Sequence, residues 1–158
     1  MKLAKTIRLD ISDTQVFERV AEVGEWAVAG TFAFVDGDPA DWSGKRRLAF
    51  RAAWLAIGSF GNSTFVQVVD ISAAEYEQAV RTLALHLAEV YGAPSQEDAA
   101  RAARREVDDM AALCDHPPGS LLSIERDMAD RDITEKISVL APPDEPALAK
   151  SWTLVEDD

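Results

Sequence analysis

The sequence contains one cysteine and two histidines in 158 residues, and basic residues are scarce. A single thiol excludes an intrachain disulfide, and none of the paired Cys or His spacings of zinc sites is present. Sixteen bases against 28 acids give a formal net charge of −12, which repels phosphate backbones and anionic membranes. We therefore expect no nucleic-acid partner, no membrane partner, no metal and no cofactor.

Long apolar runs are also missing. No stretch approaches the roughly 20 residues that a membrane-spanning helix needs, and the N-terminus alternates without a secretion segment. Together with the single cysteine, this favours the cytoplasm. The length suits one core, so we predict a single domain at 1–141 followed by an acidic, proline-containing tail at 142–158.

The clearest pattern is a strand that leads into a long helix. Residues 64–69 are rich in β-branched side chains, which favour a strand. Ser72 and Glu75 then form the S-x-x-E pattern of a capping box, and apolar residues recur at helical spacing as far as residue 91. On this helix Leu85 lies opposite the apolar stripe, so we expect the helix to be covered on two sides.

A second helix is predicted from Ser95 to Cys114. Its stripe is made of small residues such as Ala100 and Ala103, and the four-residue link makes it an antiparallel neighbour of the first helix. Acids and bases at i,i+4 spacing predict ion pairs along its outer face, namely Glu97–Arg101, Arg104–Asp108 and Arg105–Asp109.

The remaining patterns predict short elements. A further helix is expected at 44–57, and strands are expected at 5–11, 16–20 (with a helical turn as the alternative), 25–28, 31–35, 121–126 and 133–140. The fold class that follows is α+β: a mostly antiparallel sheet with an antiparallel helix pair and one further helix packed against it. A ferredoxin-like or related sandwich is the expected topology.

The helix predicted at 44–57 carries the one cluster of bases in the chain. Lys45, Arg46, Arg47 and Arg51 lie within seven residues, and Arg47 and Arg51 are candidates for binding an acidic partner or a small anion. A solvated helix face that offsets nearby acids is the alternative. The glycines at 58 and 61 resemble a phosphate-binding loop, but they precede a strand instead of opening a helix.

Tryptophans Trp26 and Trp42 lie in or beside predicted loops near arginines, as interface anchors often do. Core packing is the alternative for both.

Cys114, Asp115 and His116 contain the side-chain types of a thiol protease triad. Three consecutive residues cannot form one hydrogen-bonded relay, and the other histidine, His86, is predicted to lie far away. Cys114 and His116 remain candidates for a small-ligand or metal site, with Arg126 as an anion clamp. The alternative is a buried cysteine at a helix end, with His116 favoured by the helix dipole.

Several segments together resemble a known family. They are Thr6–Asp10, Gly24–Val28, Phe32–Phe34, Tyr91–Pro94 and Leu113–Gly119. The sequence resembles an uncharacterised bacterial family, a domain of unknown function found chiefly in alphaproteobacteria, over roughly residues 1–142. The resemblance implies a bacterial, cytoplasmic protein and supplies no activity, cofactor or catalytic residue.

Three functional hypotheses follow. The leading one is a non-enzymatic accessory or protein-interaction module that self-associates as a homodimer, through the helix face bearing Leu85 or through a sheet edge, with a further protein partner as an option. The alternative is a small-ligand enzyme or metal-binding protein with its site near Cys114, Asp115 and His116. A third is a small-molecule binding module that uses the basic helix.

Overall fold

The computed structural model describes residues 1–35, 37–130 and 132–141, and the backbone of 153–156. The strands are β1 Lys2–Ile7, β2 Trp26–Val28, β3 Trp54–Ala56, β4 Asn62–Ser63, β5 Phe65–Asp70, β6 Leu121–Ala129, β7 Asp132–Ala141 and β8 Thr153–Glu156. The helices are α1 Ser12–Val16, α2 Gly44–Ala52, α3 Ala73–Val90 and α4 Gln96–Leu113, with 3₁₀ turns at Thr31–Phe34 and Pro39–Asp41.

The strands form one sheet in the order β4-β3-β2-β1-β5-β6-β7-β8, and the named strands pair antiparallel throughout. The predicted α+β class is confirmed. The ferredoxin-like topology is wrong, because that plan alternates its elements as β-α-β-β-α-β, whereas here both long helices follow one another between β5 and β6. β8 begins at residue 153, and the stretch 142–152 of the predicted tail lies outside the described residues.

The two long helices match their predictions closely. Ser72 accepts from the backbone N–H of Glu75, whose carboxylate accepts from the N–H of Ser72, so the capping box is complete. Helices α3 and α4 lie side by side, and Tyr76 near the start of α3 donates a hydrogen bond to Asp108 near the end of α4. This contact confirms the antiparallel pair.

The ion pairs of α4 differ from the prediction. Arg104 reaches across to Glu77 of α3 with N···O distances of 2.7 and 3.0 Å, and Arg101 pairs with Asp98 at 3.1 Å. The stripe is shifted as well, because Ala99 is buried whereas Ala100 is exposed. Both differences arise because α3 covers one flank of α4. The position of α3 therefore decides which acids the arginines of α4 can reach.

Four short elements were predicted wrongly. The first strand spans 2–7 instead of 5–11: the chain leaves the sheet where Asp10 accepts from the N–H of Ser12 at 2.7 Å, so Leu9 and Ile11 are exposed. Residues 12–16 form a helix in place of the strand predicted at 16–20. Buried Asp13 holds this helix by accepting from the N–H and hydroxyl of Thr64.

The other two corrections concern aromatic segments. Residues 31–34 form a 3₁₀ turn instead of a strand, because Gly30 enters with φ of 78° and the chain turns away from the sheet. The helix predicted at 44–57 ends at Ala52, and Trp54 begins β3. The indole N–H of Trp54 donates to the carbonyl of Leu122 at 3.1 Å, so contacts with the sheet override the helical pattern here. The strands predicted at 121–126 and 133–140 are longer than expected, because β6 extends to Ala129 and β7 spans Asp132–Ala141.

Two apolar clusters lie on the same face of β6. Leu122 and Ile124 belong to the cluster under α3 and α4, and Met128 packs on a smaller cluster around Phe34 and Phe50. Side chains two apart on a strand share a face, so Arg126 lies between the two clusters.

Arg126 is fully buried and is held by backbone carbonyls. One of its terminal nitrogens donates to Phe50 at 2.8 Å and Ala53 at 3.0 Å, and the other donates to Ala29. Its Nε donates to the hydroxyl of Thr31 at 2.8 Å, and Glu135 lies 3.6 Å away. Burial lowers the pKa of Arg126 to about 10, which leaves the guanidinium charged at neutral pH. Arg126, which was predicted to be an anion clamp, therefore points into the protein and binds backbone carbonyls of the chain itself.

We predict that Arg126→Met destabilises the protein by about 3 kcal/mol or more, because buried carbonyls lose their donors. Arg126→Lys restores only part of the loss, since an ammonium cannot reproduce the planar fork. Chemical denaturation measures both changes in the free energy of unfolding.

The matched control is Arg51→Met, which removes an exposed arginine from α2 and is expected to stay within about 0.5 kcal/mol of the wild type. Wild-type stability in Arg126→Met contradicts the structural role given to this buried charge.

Candidate functional site

A cavity of about 460 Å³ opens between α2, the end of α3 and the 3₁₀ turn at 31–34. This volume lies in the range of small-molecule sites. Its lining consists of Glu18, Arg19, Ala29, Gly30, Ala33, Phe34, Lys45, Arg46, Ala49, Ala53, Leu55, Phe60, Asn62, His86, Val90 and Tyr91.

Small residues form the wall toward the sheet and α2. Four of the lining residues, at 29, 33, 49 and 53, are alanines, and Gly30 completes the set of small residues. A Cβ at Gly30 would lie 2.5 Å from the Cβ of Leu55, so this position requires glycine for space as well as for its positive φ.

The charged lining is mainly basic. Arg19, Lys45 and Arg46 face the cavity with one acid, Glu18, which accepts from the hydroxyl of Ser43 at 2.6 Å. Arg46 is fixed in place: it donates to the carbonyl of Ala33 at 3.0 Å, and its guanidinium lies 4.9 Å from the ring centre of Trp42. In a chain of net charge −12, this is a local concentration of positive charge.

The remaining wall is aromatic. Phe60 and His86 stack with centroids 3.6 Å apart and planes 5° from parallel, and Tyr91 meets His86 edge-on at 5.5 Å. Burial lowers the pKa of His86, and Arg19 lowers it further. The imidazole is therefore neutral at pH 7 and acts as a third ring of the wall.

The glycine-containing loop at 58–61 does not bind phosphate in the way that its composition suggests. The carboxylate of Glu25 accepts from the N–H and the hydroxyl of Ser59, both at 2.6 Å. An acid of the chain itself thus occupies the donors that an external anion would need.

The cavity divides the bases of the predicted basic helix into two groups. Lys45 and Arg46 line it, whereas Arg47 and Arg51, the two bases proposed as binding residues, do not. Arg47 donates to the carbonyls of Pro39 and Ala40, and Arg51 is exposed. Helix periodicity could not separate these four bases, because the neighbouring segments decide which flank of α2 faces a cavity.

The two predicted tryptophans lie outside the lining. Trp26 is half-buried in β2, with Lys5 Nζ 4.6 Å from its ring centre. Trp42 packs against Phe34 and Phe50 and supports Arg46 from behind. Core packing accounts for these contacts.

Sequence reasoning missed Arg19, Phe60 and Tyr91 as site residues. They come from three separate segments that meet only in the fold. The available signal was one large aromatic residue at the end of a predicted helix, Tyr91, and another in a loop, Phe60.

Cys114 and His116 lie in the turn between α4 and β6. Cys114 is fully buried, and burial raises the pKa of its thiol to about 12. The carbonyl of His116 accepts from Lys2 Nζ at 2.9 Å, and Gly119 donates to Val68 of β5 at 2.8 Å. In the described part of the chain, no group of three or more His, Cys, Asp or Glu side chains is placed to hold a metal ion.

A second cavity, of about 350 Å³, lies on the other side of Ala29. Three acids line it, namely Glu106, Asp109 and Glu135, together with apolar side chains. Burial and the two neighbouring carboxylates raise the pKa of Glu106. Its charge is opposite to that of the first cavity, and Arg126 lies close to both.

The fold and the cavity describe an α+β protein with a concave space of about 460 Å³. The chain belongs to a family of unknown function, DUF6505, whose model matches residues 1–152. This confirms the family type expected from the resemblance and extends it ten residues beyond residue 142. Neither a curated protein nor a solved structure matches the chain. Among the helices in the described ranges, none has the length and apolar character to cross a membrane.

We predict that Cys114 reacts negligibly with a thiol reagent such as DTNB at pH 8 in the native protein, because the thiol is buried and protonated. Absorbance of the released chromophore measures the reaction, and the same protein in denaturant, reacting fully, is the control. Stoichiometric labelling of the folded protein within seconds contradicts the structural role of Cys114.

Proposed function

We propose that this protein is a non-enzymatic binding module that takes a small organic anion in the 460 Å³ cavity. The observation that carries the proposal is the lining itself, where three bases and a set of aromatic rings surround one concave space. An apolar pocket with a few convergent polar groups is the usual form of a ligand site.

Charge supports an anion as the ligand. Arg19, Lys45 and Arg46 against Glu18 leave a net lining charge of +2 (three bases minus one acid). Arg46 is held by Ala33 and Trp42 before any ligand arrives, so little side-chain entropy is lost when it binds.

The chemistry of the lining supports binding without turnover. The described residues around the cavity include no serine or threonine hydroxyl and no thiol. His86 has one face against Phe60 and a lowered pKa, an arrangement that favours stacking over proton transfer.

We expect Lys45→Ala and Arg19→Ala each to weaken binding of a small organic carboxylate about tenfold or more, because each removes a charged partner worth about 1.5 kcal/mol. Thermal shift identifies the carboxylate, and isothermal titration calorimetry measures its Kd.

Arg51→Ala is the matched control, since it removes the same charge from the same helix outside the cavity. Equal weakening in all three variants points to long-range charge instead of a site. If no organic anion stabilises the protein, the proposal is wrong.

We propose self-association as a second property, as a homodimer formed through α3. Leu85 is 59% exposed and lies on the side of α3 opposite buried Leu83. The β4 edge of the sheet is less suitable, because the backbone of residues 19–21 already bonds to Asn62 there.

Sedimentation equilibrium at about 100 µM tests this proposal, since stable dimers persist at that concentration. We expect a dimer for the wild type and a monomer for Leu85→Lys, whereas Val23→Lys, at an exposed apolar residue away from α3, should leave the dimer intact. A wild-type monomer contradicts the proposal.

A further inference from the structure

The cavity leaves large apolar side chains partly in water. Val90 and Tyr91, at the end of α3, are 63% and 43% exposed, and both line the cavity. Covering apolar surface is favourable in proportion to the area removed from water. A ligand that fills this space therefore gains from an apolar body as well as from its charge.

The rings of the wall are set at angles that suit another ring. His86 and Phe60 are stacked, Tyr91 is inclined at 67° to His86, and Phe32 stands at 84° to Tyr91 from behind. Aromatic pairs prefer offset-stacked or edge-on contacts at such separations. The aromatic wall therefore offers both ring faces and ring edges for contact with the ring of a ligand.

The charge of the site limits the charge of the ligand. The net lining charge of +2 balances one or two negative charges, and the net charge of −12 on the whole chain penalises each further one. The glycine loop near Phe60 supplies no phosphate cradle, because Glu25 already occupies the N–H and hydroxyl of Ser59. A carboxylate fits this balance better than a nucleotide.

We infer that the ligand class is an aromatic carboxylate, with its ring system against Tyr91, His86 and Phe60 and its carboxylate toward Arg19 and Lys45. This rests on the proposed anion site and narrows its ligand. The small wall of alanines and Gly30 leaves space for a fused ring system beside the rings already present.

Calorimetry with four probes tests the inference at pH 7.5 and 0.15 M salt. 2-Naphthoate is expected to bind at least tenfold more tightly than 2-naphthamide, which has the same ring system without the charge. 2-Naphthoate should also bind more tightly than decanoate, which has a similar size and charge without a ring. Inorganic phosphate is expected to give no heat of binding.

A variant gives a second readout. Tyr91→Leu keeps apolar bulk but removes the ring, so 2-naphthoate should bind about three- to tenfold more weakly, the range typical of an aromatic pair. The Kd of decanoate should change by less than that of 2-naphthoate in the same variant, because leucine keeps the apolar contact that an alkyl chain can use. Tyr91 is half in water, so the variant is expected to fold, and circular dichroism checks this.

The outcomes separate the two proposals. If decanoate binds as tightly as 2-naphthoate, or if Tyr91→Leu binds 2-naphthoate normally, the aromatic class is wrong while the organic-anion site stands. Binding of phosphate alone also overturns the aromatic class. If none of the four probes binds, the organic-anion site is wrong as well.

Discussion

A buried arginine lies between the two apolar clusters of this protein and links the elements around it. Arg126 projects from β6 between the two apolar clusters and bonds to the carbonyls of Phe50, Ala53 and Ala29. Burying a charge is costly unless it is paired and hydrogen-bonded. Here the carbonyls at the C-terminal end of α2 supply partial negative charge, and Glu135 supplies a full one at 3.6 Å. The arginine thus satisfies carbonyls at the C-terminal end of α2 and links α2 to the sheet.

The position of the cavity follows from this link. One wall contains Ala49 and Ala53 on or after α2, and another contains Ala29 and Gly30 beside the 3₁₀ turn. Arg126 bonds to the carbonyls of three of these four residues, although its bond to Ala49 is long at 3.4 Å. The spacing between the two walls is therefore set by a buried guanidinium, whose planar fork fixes directions as well as distances. Rigid walls are what a preorganised ligand site needs.

The sequence predicts those parts of the fold whose signals are local. The two long helices, their serine caps and the strand at 65–70 follow from periodicity and capping chemistry, and all are present. Several short elements were predicted wrongly. Contacts distant in sequence decide some of them, as Leu122 does for Trp54, and local turns at Asp10 and Gly30 decide others. The sequence singled out Arg126 as an anion clamp. Its partners could not be predicted, because they are backbone carbonyls, which every residue has. The cavity was predictable only through Lys45 and Arg46, since its other walls assemble from segments as distant as residues 19, 60 and 91.

The charges at the start of α2 support the proposed anion site. Lys45, Arg46 and Arg47 occupy the first turn of the helix, where the macrodipole is positive and acids are favoured, and the turn holds no acid. Part of the conflict is relieved inside the chain: Ser43 caps the helix, Glu18 bonds to that serine, and Arg46 and Arg47 bond to carbonyls. Lys45 faces the cavity, and a bound carboxylate would relieve what remains. This arrangement of charges destabilises the start of α2 in the free protein and would stabilise a complex with an anion. It is consistent with a binding site and has no evident use in a helix with a purely structural role.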